Sequence, residues 1–193
     1  MNSQSTLPKA NVSSAELEAF NCRLAQLDLE PHIYKITHHH EGPKWELKKA
    51  DQVAELYKQF LTLCFLYPGI GNVPTRDIDT LWHYHILDTA KYQNDCQNLF
   101  GRFLHHFPYF GLRGAEDEQA LAFAFEQTRA LFAEHFGVVF SEDKCEDCRD
   151  DCVSIPCGGP PDYSPLSQGD CLVGQDQQLQ FFLDQSRPRP VRA

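Results

Sequence analysis

The stretch DTLWHYHILDTAKYQNDC, residues 79–96, decides how the chain is read. At about 100° per residue, Leu81, His85, Asp88, Tyr92, Cys96 and Leu99 fall on one helical face, spaced by alternating fours and threes. Such a stripe faces a core. Cores are usually lined by Leu, Ile and Val, so His, Asp, Tyr and Cys placed there need hydrogen bonds, a metal ion or a reaction cavity to satisfy them. Thr75 or Asp77 can cap this helix, Asp77 and Asp79 suit the positive end of its dipole, and the helix is expected to run to Phe100, with Gly101 ending it. His83 lies about 160° from His85 on the wheel, so a regular helix cannot bring both imidazoles to one ion. Asp79, one turn before His83, is placed to fix its tautomer and leave the other ring nitrogen for a metal or a proton.

Working outward, Ser13 and Ser14 precede Leu17, Phe20, Leu24 and Leu27 at helical spacing, and Pro31 is read as closing that helix. Residues 33–43, with His38, His39 and His40 beside Gly42 and Pro43, read as a polar connecting loop. From Trp45 to Tyr67 the positions Val53, Leu56, Phe60, Leu63 and Phe65 predict a buried helix stopped by Pro68 and Gly69. A last helix is expected over about Glu116 to Phe136, with Gly137 at its end; Val138 to Phe140 could pair as a short extension. Composition changes near Ser141, where charged and then cysteine-bearing sequence begins. The reading is an all-α bundle of about four main helices: residues 1–12 a flexible lead, 13–140 the helical domain, 141–193 a Cys-rich, Pro-containing, largely irregular tail.

The whole chain has 193 residues, 42% hydrophobic and 12% aromatic, enough apolar material for one ordinary core and an appendage. A formal charge of −10 repels phosphate backbones and anionic lipid, which argues against nucleic acid and membrane surfaces as partners. The first ten residues have no basic and apolar leader, and no apolar run reaches the roughly 18 residues a membrane helix requires, so a cytoplasmic protein is expected. In that setting eight cysteines suggest thiols or metal thiolates rather than disulfides.

Asp79, Trp82, His83, His85, Leu87, Thr89, Tyr92, Asp95, Cys96 and Phe100, followed by HHFPYFG at 105–111, resemble the hallmark of the glycine-rich domain-containing protein-like family of plants and bacteria. The resemblance covers about Pro31 to Gly137. It implies a fold unit, with no established reaction, substrate or cofactor. The hallmark positions matched are His83, His85, Tyr92, Asp95 and Cys96, and His105 and His106 sit where a further His often follows.

Two candidate metal sites follow. The bundle offers His83, His85, Cys96, His105 and His106, supported by Asp79 and Asp95; the tail offers Cys145, Cys148, Cys152 and Cys157, four thiolates able to wrap zinc or copper(I). Zinc, copper or iron is the cofactor class implied. Acidic neighbours such as Glu146 and Asp147 raise the tail thiols' pKa, which disfavours an activated nucleophile and attracts cations. If the bundle site has an open coordination position, Asp88 or Tyr92 could handle protons. The competing readings are a noncatalytic interaction module whose disordered tail binds a protein partner, Pro160 to Tyr163 being a PPxY match, and a thiol redox protein. No phosphate loop, GxSxG elbow or HExxH run is present.

Overall fold

The computed structural model describes residues 9–38, 42–68, 72–140 and 188–192. Six α-helices carry the fold: α1 Ser14–Ala25, α2 Glu30–His38, α3 Leu47–Leu66, α4 Arg76–Leu87, α5 Thr89–Phe100 and α6 Ala115–Phe136, with no strand among the described residues. The all-α expectation is met, and Val138 to Phe140 runs as coil, with Phe140 edge-on to Phe132 and its carbonyl accepting from Arg129 Nη2 at 2.9 Å.

α1 begins with a reciprocal cap in which Ser13 Oγ accepts from the Glu16 N–H and the Glu16 carboxylate accepts from the Ser13 N–H at 2.8 Å. Its buried residues, Phe20 and Leu24, meet α3 and α5, with Phe20 stacked on Phe65 at 4.2 Å between ring centroids. The helix ends at Ala25, before Pro31, which lies instead in the first turn of α2, where its missing N–H costs nothing. The stretch expected to be a polar loop is therefore mostly helix. Asp28 Oδ1 accepts from the Glu30 N–H at 3.1 Å, and His32, Ile33 and Ile36 bury one face of α2 against α3 and α4. His39 and His40 lie outside the described residues.

α3 is the central rod. Ten of its twenty residues are buried, among them Tyr57, Phe60, Leu61 and Leu63, and it touches α2, α4 and α6. Phe60 meets Trp82 of α4, and both are fully buried; truncating either to alanine would cost about 3–5 kcal/mol.

The expected third helix is two. At Asp88 the backbone leaves helical geometry (φ −87°, ψ 70°), its N–H returns to the His85 carbonyl at 3.1 Å, and its carbonyl opens α5 by accepting the Tyr92 N–H at 2.8 Å. Asp and Thr are poor formers of helix interiors, and the side chain of Asp88 makes no capping hydrogen bond to α5. Leu81, His85, Tyr92, Cys96 and Leu99 still face the core, while Asp88, at the break, is only half-buried. Gly101 and Gly137, both in the left-handed region, end α5 and α6 as expected.

Candidate metal centre

The segment between α5 and α6 has no regular structure and is held by the polar residues of the stripe. Trp82 Nε1 donates to the Tyr92 hydroxyl at 2.9 Å, and that hydroxyl donates to the Leu104 carbonyl. Leu104 is buried, so the residues after it are delivered to the exposed side of α4 at a fixed height. His106 packs edge-on to Trp82, 4.7 Å between centroids, and is driven toward Asp79 and His83.

Asp79 and His83 share a face of α4 by their i, i+4 spacing. His83 Nε2 lies 3.0 Å from His106 Nε2, His106 Nε2 lies 3.2 Å from Asp79 Oδ1, and His83 Nε2 lies 3.7 Å from Asp79 Oδ2. Taken with one ligand atom each, the three side chains fall within 4.8 Å of one another, close enough to hold a metal ion. The Asp79 and His106 side chains are each 8% exposed and that of His83 is 47% exposed, so the group is walled on two sides and open on the third. Burial pushes the His83 pKa down, with His106 adding to the effect and Asp79 opposing it; a neutral imidazole is the form that ligates metals.

His85 belongs to a different network, on the far side of α4. Its Nδ1 is 3.0 Å from the Tyr57 hydroxyl and its Nε2 3.0 Å from Asp95 Oδ2, which also takes Lys91 Nζ at 2.5 Å. With Nε2–H donating to the carboxylate, Nδ1 accepts from Tyr57, so both ring nitrogens are engaged. Burial holds the His85 pKa low against Asp95. Burial would raise the Asp95 carboxyl, but the bonds from His85 and Lys91 outweigh it and bring it below the usual range. Burial drives the Tyr57 hydroxyl far above its ordinary value. His32 leans on His85 at 4.8 Å, fully enclosed, and neither of its ring nitrogens has a partner. Asp95 and Lys91 also line a cleft of about 500 Å³ with Arg23, Asp28, Asn94 and Asn98.

Of the residues singled out from the sequence, His83 and His106 come together, and Asp79 joins them as a potential ligand rather than only an orienting group. His85 is on the opposite face, as the wheel requires. His105 points to solvent against Phe103. Cys96 is buried beside Tyr92, its thiol pushed up by burial. Asp88 marks the helix break and Tyr92 anchors Leu104. Cys145, Cys148, Cys152 and Cys157 lie outside the described residues. His32, Tyr57 and Lys91 were not singled out, since only tertiary packing brings them to His85.

The architecture is thus an all-α domain with a His/Asp cluster pinned between one helix and an irregular segment. The UCP032817-like family model matches residues 23–129, more than half of the chain, and the chain belongs to that family. It is also similar to glycine-rich domain-containing protein 2 of Arabidopsis thaliana, 33% identical over 105 residues that make up 50% of this chain and 13% of that protein. The chain therefore spans a small part of that curated relative. No solved structure matches. No helix among the described residues is long and apolar enough to cross a membrane.

Proposed function

We propose that this domain is a transition-metal-binding protein whose ion is held by Asp79, His83 and His106. The observation that carries the reading is the convergence of the three donors. An ion bound at ~2.0–2.2 Å in tetrahedral geometry holds its ligand atoms roughly 3.3–3.6 Å apart. The two imidazole nitrogens are 3.0 Å apart, each has an Asp79 oxygen at 3.2 or 3.7 Å, and one donor atom from each side chain falls within 4.8 Å of the others, a spacing that a small side-chain adjustment brings to that range. Two imidazoles and one carboxylate favour a borderline divalent ion, zinc or iron(II), over calcium, magnesium or copper(I). Three protein ligands with the exposed side of His83 open are the pattern of a site that keeps a coordination position for water or substrate. The tail thiols would form a separate, sulfur-rich site. In the absence of an ion, the same three side chains can serve as a hydrogen-bonded bridge between α4 and the segment after α5.

Titration of the full chain with cobalt(II), followed by visible absorption, separates these cases. The proposed site gives bands of a nitrogen and oxygen donor set that vanish in His83→Ala and His106→Ala. Intense sulfur-to-cobalt bands alone, unchanged in both variants, would leave the cluster as a structural bridge.

A further inference from the structure

Residues 188–192, Pro-Arg-Pro-Val-Arg, lie against the helical domain through residues outside the His/Asp cluster. Arg189 pairs both terminal nitrogens with Asp28: Nη1 meets Oδ1 at 3.0 Å and Nη2 meets Oδ2. Arg192 is gripped twice. Its Nε and Nη2 donate to the Glu30 carboxylate at 3.2 and 2.7 Å, and its Nη1 and Nη2 donate to the two oxygens of Asp51 at 2.8 Å each. The three acids come from three places: Asp28 from the link between α1 and α2, Glu30 from the first turn of α2, and Asp51 from α3.

The segment's sequence suits this contact. Proline fixes its own φ and disfavours helix in the residue before it, so Pro188 and Pro190 bias the stretch toward an extended polyproline conformation. With three residues per turn and about 3.1 Å rise, residues three apart point the same way, about 9 Å apart. Arg189 and Arg192 have that spacing and both reach the domain, while Val191 between them is 92% exposed. Among the described residues of the segment only Pro190 is partly buried, so the contacts that hold it are those of the two arginines. The geometry is that of the guanidinium fork, which a lysine cannot reproduce. The carboxylates respond: the bond from Arg192 holds the Asp51 carboxyl low, and at Asp28 burial, which would raise the pKa, is outweighed by Arg189 and the Glu30 N–H.

From this we propose that Asp28, Glu30 and Asp51 form a receptor for an extended Arg-x-x-Arg segment stiffened by proline, and that residues 188–192 of the same chain are its resident ligand. Asp28 also stands at the rim of the cleft that Asp95 and Lys91 line, so the clasp closes next to that cleft, and another Arg-x-x-Arg segment would compete with it there.

The test uses the full chain with Arg189→Ala and Arg192→Ala, which vacates the surface, and a fluorescent peptide of residues 186–193 followed by anisotropy. The vacated chain should bind the peptide at least tenfold more tightly than the wild type, whose own segment competes. Adding Glu30→Gln and Asp51→Asn to the vacated chain should weaken binding at least tenfold, and so should replacing the peptide's Arg189 and Arg192 by lysine, with circular dichroism showing each variant folded. Equal binding of the arginine and lysine peptides, or no effect of Glu30→Gln and Asp51→Asn, would mean only general attraction to an acidic chain and would overturn the proposal. A wild-type dimer in sedimentation velocity that becomes monomeric in Arg189→Ala/Arg192→Ala would overturn the intrachain assignment.

Discussion

Replacing Tyr92 by phenylalanine keeps the ring, which packs edge-on to His85 and Phe103, and removes one oxygen. That oxygen accepts from Trp82 Nε1 and donates to the Leu104 carbonyl, and Trp82, Tyr92 and Leu104 are all at most 1% exposed. The variant therefore leaves a buried indole N–H and a buried carbonyl without their partner. Each such group costs about 1–3 kcal/mol, so the loss should be about 2–4 kcal/mol after some relaxation. At roughly 2–4 °C per kcal/mol for a chain of this size, the melting temperature should fall by about 5–15 °C. Urea unfolding followed by the fluorescence of Trp45 and Trp82 measures the free energy. A second readout follows from position: Leu104 lies two residues before His106, so a folded Tyr92→Phe protein should bind cobalt(II) about 10–100-fold more weakly, as when a group supporting a ligand is removed. A stability loss under about 0.5 kcal/mol, with unchanged metal affinity, would refute the view that this hydroxyl sets the height of the segment.

Other consequences can be checked alongside it. His32, faced by His85, Lys91, Asp88 and Asp95, has its pKa depressed to about 3, chiefly by burial. The unfolded chain then binds the extra proton first, and stability should fall as pH drops below about 6.5, by up to ~1.4 kcal/mol per unit until about pH 3. A His32→Leu variant should be at least as stable as wild type at pH 7, since it removes two unpartnered ring nitrogens, and should gain about 2 kcal/mol more relative to wild type by pH 5; parallel stability curves from urea midpoints would count against this. Gly111 has φ +91°, and a Cβ there would sit 2.5 Å from Leu121 Cδ2, so Gly111→Ala should cost about 1–3 kcal/mol. Gly101→Ala, in open space at φ +67°, should cost only about 1 kcal/mol, and thermal melts should rank the two in that order. Thr128→Val removes the hydroxyl that accepts the buried Val73 N–H at 2.8 Å and should lower stability by about 1–3 kcal/mol in urea.

The stripe of residues 81–99 is legible because helical periodicity survives a short break: Leu81, His85, Tyr92, Cys96 and Leu99 stay buried although α4 and α5 are separate helices, and only Asp88, at the break, leaves the core. The break itself had a cue in Asp88-Thr89, which the strength of the periodic pattern outweighed. At α2 the opposite happened. Three histidines followed by Gly-Pro read as loop, while Pro31, which in a first turn behind Asp28 is a start signal, reads equally as a stop in sequence. Within the site, Asp79 and His83 were visible as an i, i+4 pair and His106 as a nearby histidine, yet their meeting depends on Tyr92 catching the Leu104 carbonyl, a tertiary contact that no spacing encodes. The same holds for His32 and Tyr57, which come from α2 and α3 to meet His85. The docking of Arg189 and Arg192 onto Asp28, Glu30 and Asp51 joins residues more than 140 positions apart.

The most direct measurement is the metal content of the full chain in which Cys145, Cys148, Cys152 and Cys157 are all serine, so that the four candidate tail ligands contribute nothing. After dialysis against zinc and then buffer, mass spectrometry should find one zinc per chain, lost in His83→Ala and in His106→Ala and kept in His105→Ala. Zinc absent from the four-serine chain, or retained in both His83→Ala and His106→Ala, would contradict a metal centre at Asp79, His83 and His106.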